Sequence, residues 1–375
     1  MSGGVDSSVA AALLVEQGHE VVGLTMNLWP DWLPEPDDGF QACCGVGAIG
    51  DARAVAQRLG IRHYVLNMRE EFERAVIDEF CDEYAAGRTP NPCLACNRAI
   101  KFSLLLRKVR AMGLDALATG HYARVRHDGA ANRYLLLRAC DAEKDQSYVL
   151  YALRQDQLRY LLLPVGEFRK PEIREVARRL GLRVADKPDS QEICFVPRGH
   201  YADVVARRRP EAARPGPILD QGGRQIGVHG GVARFTIGQR RGLGVAHGRP
   251  LYVTEIDSAR NAVVVGDEKD LLVREVTARQ VNWIGGPAPP APLRVTARVR
   301  HAGRETPARA WVDQAGALRV RFDEPQRAAA RGQAVTLYDG EMVLGGGIID
   351  GALPAGNEFS AAEPTAASAE VRHGI

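Results

Sequence analysis

The sequence predicts an α/β protein: an N-terminal doubly wound parallel sheet, a small central domain and a C-terminal antiparallel β-barrel. Three observations carry that expectation. Apolar helix and strand patterns alternate through residues 1–125, as a parallel sheet covered by helices requires. A glycine-serine turn, "SGGVDSS" (2–8), heads the first helix, where phosphate loops sit in such sheets. From Gly199 the texture changes to Arg, Pro and Gly, followed by short strand patterns.

In order, an apolar helix runs from Ser7 to a C-cap at Gly18, and "HEVVGLTM" follows as a buried strand. "GDARAVAQRLG" is an amphipathic helix closed by Gly60, and "IRHYVLNM" a second strand. "EEFERAVIDEFCDEYAAG" is a longer helix ending at Gly87, and "IKFSLLLRKVRAMG" another. "LDALATGHYARV" reads as strand and turn. The strand that should precede the phosphate loop is missing, with Met1 alone ahead of Ser2; either the start is assigned too far downstream or the chain is truncated, and the first is the expected reason. "LYVTEIDSARNAVVVG" is a hairpin with Asp, Ser and Asn in its turn. "GGPAPPAPLR" (285–294) is a Pro-rich linker, and the short strands beyond it form the barrel. The expected domains are 1–198, 199–284 and 285–352, with 353–375 a disordered tail.

Hydrophobic residues at 45% and charged residues at 25% fit a soluble globular chain. No apolar run reaches the roughly 18 residues of a membrane span, so no membrane partner and a cytoplasmic location are expected. A net charge of +3 neither demands nor excludes a nucleic acid, which responds to local patches. The seven cysteines (43, 44, 81, 93, 96, 140 and 194) point to reactive thiols or metal ligation rather than structural disulfides.

Gly3 and Gly4 let backbone amides approach phosphate oxygens, and Ser7 and Ser8 add hydroxyls at a helix N-terminus. No Lys follows the glycines, so this is not a Walker loop. It suits a pyrophosphate that leaves as a unit. The bland alternative is a turn that only caps a helix. In "GRTPNPCLACNRAIKF" (87–102), Pro90 and Pro92 stiffen a loop and the helix is expected to start near Asn97. That places Cys96 at a helix N-terminus beside Arg98 and Lys101, where the thiolate is favoured. Cys93-x-x-Cys96 also reads as a zinc half-site that Cys43 and Cys44 would complete. Cys194 in "KPDSQEICFVPRGHY" reads equally as a packed core residue, between Ile193 and Phe195, or as a loop nucleophile.

Six collinear motifs, "SGGVDSS", "GRTPNPCLACNRAIKF", "ATGHYARV", "KDQSYVLYAL", "DSQEICF" and "FTIGQRRGLG", resemble those of the bacterial tRNA-specific 2-thiouridylases. These belong to the PP-loop ATP pyrophosphatase superfamily, and the resemblance runs from residue 1 to about 350. It implies ATP-dependent adenylation of the C2 oxygen of the wobble uridine (position 34), then displacement of AMP by a cysteine persulfide. On that resemblance Cys194 holds the persulfide and Cys96 frees the sulfur through a disulfide with Cys194. ATP, with Mg2+, is expected at Met1, Ser2, Gly3, Gly4, Val5, Asp6 and Ser7, with Met26 at the adenine and Gly120 near the nucleotide. The expected tRNA contacts are Asn91, Pro92, Cys93, His121, Lys144, Asp145, Gln146, Arg298, Val299, Arg300 and Gln333. The implied partners are the anticodon arm of lysine, glutamate and glutamine tRNAs and a sulfur donor, either a cysteine desulfurase or a persulfide relay protein.

Each contact has a plainer rival: a solvated Lys144–Asp145 pair, His121 as an ordinary loop residue, and Arg298 and Arg300 alternating on the outer face of a strand. Tyr122 and Trp283 are candidates for base stacking or for packing, and Arg207, Arg208, Arg209 and Arg214 for phosphate contacts. Many members of the family carry Asp where this chain has Cys93. A thiol does not replace that carboxylate at neutral pH. Cys93, Cys96 and Cys194 therefore suggest a second mechanism, in which three cysteines hold a [4Fe–4S] cluster that delivers sulfide. Two rivals from other classes are an arginine-building ligase sharing the loop and a non-catalytic RNA-binding protein.

Overall fold

The structure is a computed structural model describing residues 1–33, 46–189, 193–196, 201–288 and 291–355. Cys43, Cys44 and residues 356–375 lie outside the described residues; of the tail expected over 353–375, Leu353 and Pro354 belong instead to the last strand, opposite Glu275 and Val273. The chain divides into two compact units: Met1–Asp78 with Pro92–Tyr201, and Glu79–Asn91 with the chain from Ala202 onward.

In the first unit, β1 (Val22–Asn27) and β2 (Arg62–Asn67) pair in parallel, Val22 opposite Arg62 and Asn27 opposite Asn67. β3 (Leu117–Ala118) follows, then a hairpin of β4 (Ala123–Asp128) and β5 (Arg133–Arg138) that the strand-helix alternation did not announce. β6 (Leu161–Leu162) pairs in parallel with β3. The parallel strands of this unit thus form two pairs among the described residues. Met1 runs beside β1: its amino group donates to the Leu24 carbonyl, and Thr25 Oγ1 donates to the Met1 carbonyl at 2.8 Å.

Helix α1 (Val5–Glu16) is apolar all round, the mark of a helix covered on every side. Val5, Val9, Ala10 and Leu13 pack with Val55 of α2 (Val46–Leu59), Tyr122, Val165, and Ile173 and Ala177 of the 170–179 helix. Each large aliphatic buried there contributes about 1.5–3 kcal/mol. The phosphate loop is thereby fixed to the most deeply packed helix of its unit. The expected helix before Gly87 comes as Arg69–Phe72, a π-helical stretch Glu73–Ile77 and Asp78–Ala85.

In the second unit, β7 (Gly216–Leu219), β8 (Gln225–His229), β9 (Tyr252–Asp257) and β10 (Ala262–Gly266) form a sheet ordered β8-β7-β10-β9. The β9–β10 hairpin is the expected one, turning at Asn261 with φ +50°. A closed antiparallel barrel follows, of β11 (Leu272–Trp283), β12 (Leu293–Arg298), β13 (Thr306–Val312), β14 (Leu318–Arg327), β15 (Ala334–Asp339) and β16 (Met342–Pro354). Its strand order is β11-β14-β13-β12-β15-β16, and β16 closes back onto β11. Val276, Ala308, Ala310, Val320, Phe322 and Leu337 fill it. The Pro-rich run 285–294 connects β11 to β12, two strands of this barrel, rather than preceding the barrel as expected. β11 supplies the inward alternation that pairs it with β14 and β16.

The short stretch Glu79–Asn91 belongs to this second unit. Glu83 pairs with Arg88 at 2.6 Å and with Arg279 at 3.1 Å. The Thr89 amide donates to the Arg331 carbonyl at 2.7 Å, and Gln333 Nε2 donates to the Thr89 carbonyl at 2.8 Å. Among the described residues no helix is long and apolar enough to cross a membrane.

Candidate active site

The phosphate loop is held open by glycine at one decisive position. Gly3 has φ +64°, and a Cβ there would stand 2.4 Å from the Ala48 carbonyl oxygen of α2. No other residue meets both demands. Gly4 precedes α1 in extended conformation and offers no side-chain cap, so the amides of the first helical turn stay open to an anion. The serines brace the turn instead. The Ser2 amide donates to Ser7 Oγ at 3.0 Å, the two hydroxyls lie 3.1 Å apart, and Ser8 Oγ donates to the Gly4 carbonyl at 2.8 Å. Gly120 presses on the same turn, where a Cβ would lie 2.6 Å from the Ser7 nitrogen. Met26 is half-buried at the carboxyl end of β1.

Two lysines from distant sequence bring to this loop the positive charge its own residues lack. Lys170 Nζ reaches Asp6 at 2.7 and 2.9 Å and Asp189 at 2.7 Å. Lys187 Nζ donates to the Gly3 carbonyl at 3.1 Å and to Asp51 at 2.7 Å. Tyr122 donates to Asp6 at 2.8 Å, and burial together with the Asp6 charge pushes its phenol well above the usual range. Tyr122 is a core residue rather than a base-stacking surface. Lys144 at 2.8 Å and Arg174 at 3.3 Å also hold Asp189. Burial pushes the Asp189 carboxyl up, but the bonds from Lys144 and Lys170 outweigh it and the net shift is downward. Its bond to Asp189 raises the Lys144 ammonium.

The cysteines differ in setting. The helix begins at Pro92 and not near Asn97, because proline is well suited to the first helical position, where its missing N–H costs nothing. Cys93 therefore lies in the first turn, and exposed, while Cys96 sits a turn further on at 8% exposure. The expected N-terminal setting of Cys96 passes to Cys93. A π-helical stretch, Cys96–Leu105, starts at Cys96, and Asn97 Nδ2 donates to the Val149 carbonyl at 3.0 Å. Cys194 is half-buried in a turn closed by the Val196 amide on the Ile193 carbonyl at 2.9 Å. Phe195 takes the core position, edge-on to Phe72 with ring centres 5.9 Å apart. The two readings of this stretch are thus divided between neighbours. Among the described residues, no three His, Cys, Asp or Glu side chains gather as metal ligands, and that includes Cys93, Cys96 and Cys194.

The residues expected at tRNA fall into two groups. His121 is buried: its Nδ1 lies 2.8 Å from Thr119 Oγ1 and its ring 5.5 Å from that of Phe102. Burial, and then the Lys101 charge, hold its imidazole well below the usual value. Asp145 is buried and accepts from the Ala139 and Ser147 amides and from Ser147 Oγ. Gln146 exchanges bonds with the Tyr122 backbone at 2.8 and 3.0 Å. The Lys144–Asp145 pair does not form, since Lys144 turns to Asp189. In the barrel, Arg298 is tied to Glu305 at 2.7 Å, Val299 is buried and Gln333 clamps Thr89. Arg300 is exposed in the turn beyond β12, so the expected alternation along one strand ends at Arg298. Of the arginine run, Arg209 pairs with Asp82 at 2.6 Å, and Trp283 packs against the barrel core.

Sequence reasoning missed Lys170 and Lys187. Lys187 stands in the same string as Cys194 and was within reach of a motif reading. Lys170 opens an ordinary amphipathic helix, and only the fold brings it to Asp6.

A loop whose first-turn amides are left uncapped, braced by serines and supplied with lysines from elsewhere, has the build of a nucleotide-phosphate-binding α/β domain. Residues 1–198 match the family described as tRNA methyl transferase HUP domain. Residues 202–267 match its PRC-barrel domain, and 273–349 an aminomethyltransferase β-barrel domain. The chain belongs to the tRNA-specific 2-thiouridylase family. It is 54% identical to the tRNA-specific 2-thiouridylase MnmA of Moorella thermoacetica over 93% of this chain and 98% of the relative. With that of Acetivibrio thermocellus it shares 48% identity, over 93% and 97%. With that of Symbiobacterium thermophilum it shares 50%, over 94% and 91%.

Proposed function

We propose that the family's reaction, 2-thiolation of a tRNA uridine, proceeds in this chain at position 34 through adenylation and a cysteine persulfide. ATP is held at Met1–Ser7, its pyrophosphate against the open amides of α1 and near Lys187, with Met26 toward the adenine and Gly120 backing the loop. Mg2+, bound together with ATP at Met1–Ser7, would neutralise phosphate charge. The uridine O2 bonds to the α-phosphorus as pyrophosphate leaves. An amide-like carbonyl thereby gains a leaving group.

The terminal sulfur of a persulfide on Cys194 then bonds to C2 as AMP departs. Cys96 Sγ attacks Cys194 Sγ and breaks the sulfur–sulfur bond, leaving the 2-thio group on the base and a Cys96–Cys194 disulfide. An external thiol reduces that disulfide, and a protein carrying a persulfide, a cysteine desulfurase or a relay protein, reloads Cys194. Exposure favours Cys93 and Arg300 as direct tRNA contacts. The internal bonds of His121, Asp145, Gln146, Arg298 and Gln333 suit residues that shape the surface around them. Asn91, Pro92 and Lys144 complete the anticodon-arm contacts, and Val299 backs Arg300.

One observation carries this reading: Lys170 ties the phosphate loop at Asp6 to Asp189, in the segment that leads to Cys194. Cys194→Ser and Cys96→Ser should each abolish 2-thiouridine formation in tRNA while tRNA-dependent pyrophosphate release continues. Thiolation at the normal rate by Cys194→Ser would overturn the proposal. No arrangement of the described cysteines favours the iron–sulfur alternative.

A further inference from the structure

We propose that Arg240 and Arg241 form a grip on the tRNA phosphate backbone. They are presented by the loop of the sixth motif, "FTIGQRRGLG" (235–244), to which the proposed reaction gives no part. The proposal rests on tRNA as the substrate and is independent of how sulfur is carried. From Gln221 to Thr254 the chain holds five arginines and neither Asp nor Glu. Three of the five are matched by carboxylates from outside that stretch: Arg224 by Asp220 at 3.4 Å, Arg234 by Asp203 at 3.7 Å and Arg249 by Asp267 at 3.0 Å. Arg240 and Arg241 are exposed, and among the described residues neither side chain has an ion pair or a hydrogen bond.

The loop that presents them is built rather than slack. Gln239 is its hub: Oε1 accepts from the Thr236 amide at 3.0 Å, and Nε2 donates to the Arg241 carbonyl at 3.0 Å. Its backbone is tied as firmly. The Gln239 amide donates to the Thr236 carbonyl at 3.0 Å, and its carbonyl accepts from the Val253 amide at 2.9 Å. The Gly238 amide donates to the Val253 carbonyl at 2.8 Å, so the run into the arginines is fastened to β9. Beyond them Gly242 turns the chain at φ +75° and Leu243 is buried. Two guanidinium groups on such a mount lose less freedom on binding than two on a slack chain. Each offers a planar fork that matches phosphate oxygens. An arginine pair serving only solubility would need no such mount. The exposed run Arg240–Arg241–Gly242 also carries no large apolar side chain, the anchor on which a protein interface centres. Charge without an anchor suits a phosphate backbone, which is held by charge and carries no sequence information.

The test is the affinity of the full chain for an unmodified lysine tRNA transcript, followed by fluorescence anisotropy between about 50 and 200 mM salt. The double variant Arg240→Gln/Arg241→Gln should bind roughly tenfold more weakly at the low-salt end. Its slope of log affinity against log salt should flatten by about 1.4–1.8, the loss of two phosphate contacts. Arg240→Lys/Arg241→Lys keeps both charges and should keep the wild-type slope while weakening the binding less. Both side chains are exposed, so thermal melts of the two variants should match the wild type. A slope changed by less than about 0.5 in the Gln variant overturns the proposal. If that variant then takes sulfur more slowly from a persulfide donor protein, the loop belongs to a protein partner instead. A wild type that binds no tRNA would overturn the tRNA reading and the proposal with it. The persulfide reading registers separately, through thiolation by Cys194→Ser.

Discussion

Gly3→Ala is the sharpest perturbation of the proposed nucleotide site, because two independent penalties fall on one methyl group. The left-handed conformation, φ +64°, costs a residue with a Cβ about 1–2 kcal/mol. The added carbon also meets the Ala48 carbonyl oxygen at 2.4 Å and its Cα at 2.7 Å, and both belong to the backbone of α2. Helix backbone does not yield as a side-chain tip would, so the overlap adds about 1–3 kcal/mol. Together these come to about 2–5 kcal/mol, comparable to or above the three hydroxyl and lysine hydrogen bonds that brace the loop at about 1 kcal/mol each. The loop therefore shifts, while α1 stays packed. Even 2 kcal/mol of misplacement lowers ATP affinity roughly 30-fold. Gly4→Ala is the internal control for folding: φ is −99° there and the nearest atom is Ser2 Oγ at 3.6 Å. Titration calorimetry with ATP, beside thermal melts of both variants, reads the effect. Gly3→Ala binding ATP within about twofold of wild type would refute the assignment of the loop's grip to this glycine.

The folded state holds His121 neutral, and an unfolded His takes a proton below about pH 6.5, so the unfolded chain binds more protons and stability falls as pH drops below that value. His121→Asn should flatten this acid slope, measured as urea midpoints between about pH 7.5 and 5.5. His63 and His229, also lowered by burial, maintain a remainder, and an unchanged slope would remove His121 from the account. Glu275 is fully buried in the barrel and receives Arg319 at 2.8 Å and Arg321 at 3.1 Å. Glu275→Ala removes the carboxylate between Arg319, which keeps Asp313 at 3.0 Å, and Arg321, and should cost about 1–3 kcal/mol, read in urea by tryptophan fluorescence, since Trp311 lies in the barrel beneath Arg321. A loss under about 1 kcal/mol would show that the barrel does not depend on this cluster.

The backbone geometry of the glycine-serine loop was legible because its signals are local. Gly-Gly before an apolar helix states a backbone requirement, and the structure meets it with a left-handed Gly3 and an uncapped first turn. The sequence points to a helix start near Asn97 rather than at Pro92, because Pro92 signals both a stiff loop and a first helical residue, and only the packed chain distinguishes them. The Pro-rich run has the composition of a boundary between domains, yet it joins two strands of one barrel. A connection between antiparallel strands and a linker share their composition.

By itself the sequence determined the class of chemistry: a phosphate-gripping turn, the thiols, and collinear motifs that tie them to one family. These depend on residue type and short spacing, which the covalent chain preserves. The tertiary structure alone decided which charges meet. Lys170 lies 164 residues from Asp6, and Gln333 lies 244 from Thr89, yet each pair bonds within 3 Å. No local pattern encodes such pairs, because the partner of a charge is chosen by how buried helices and strands bring distant backbones together.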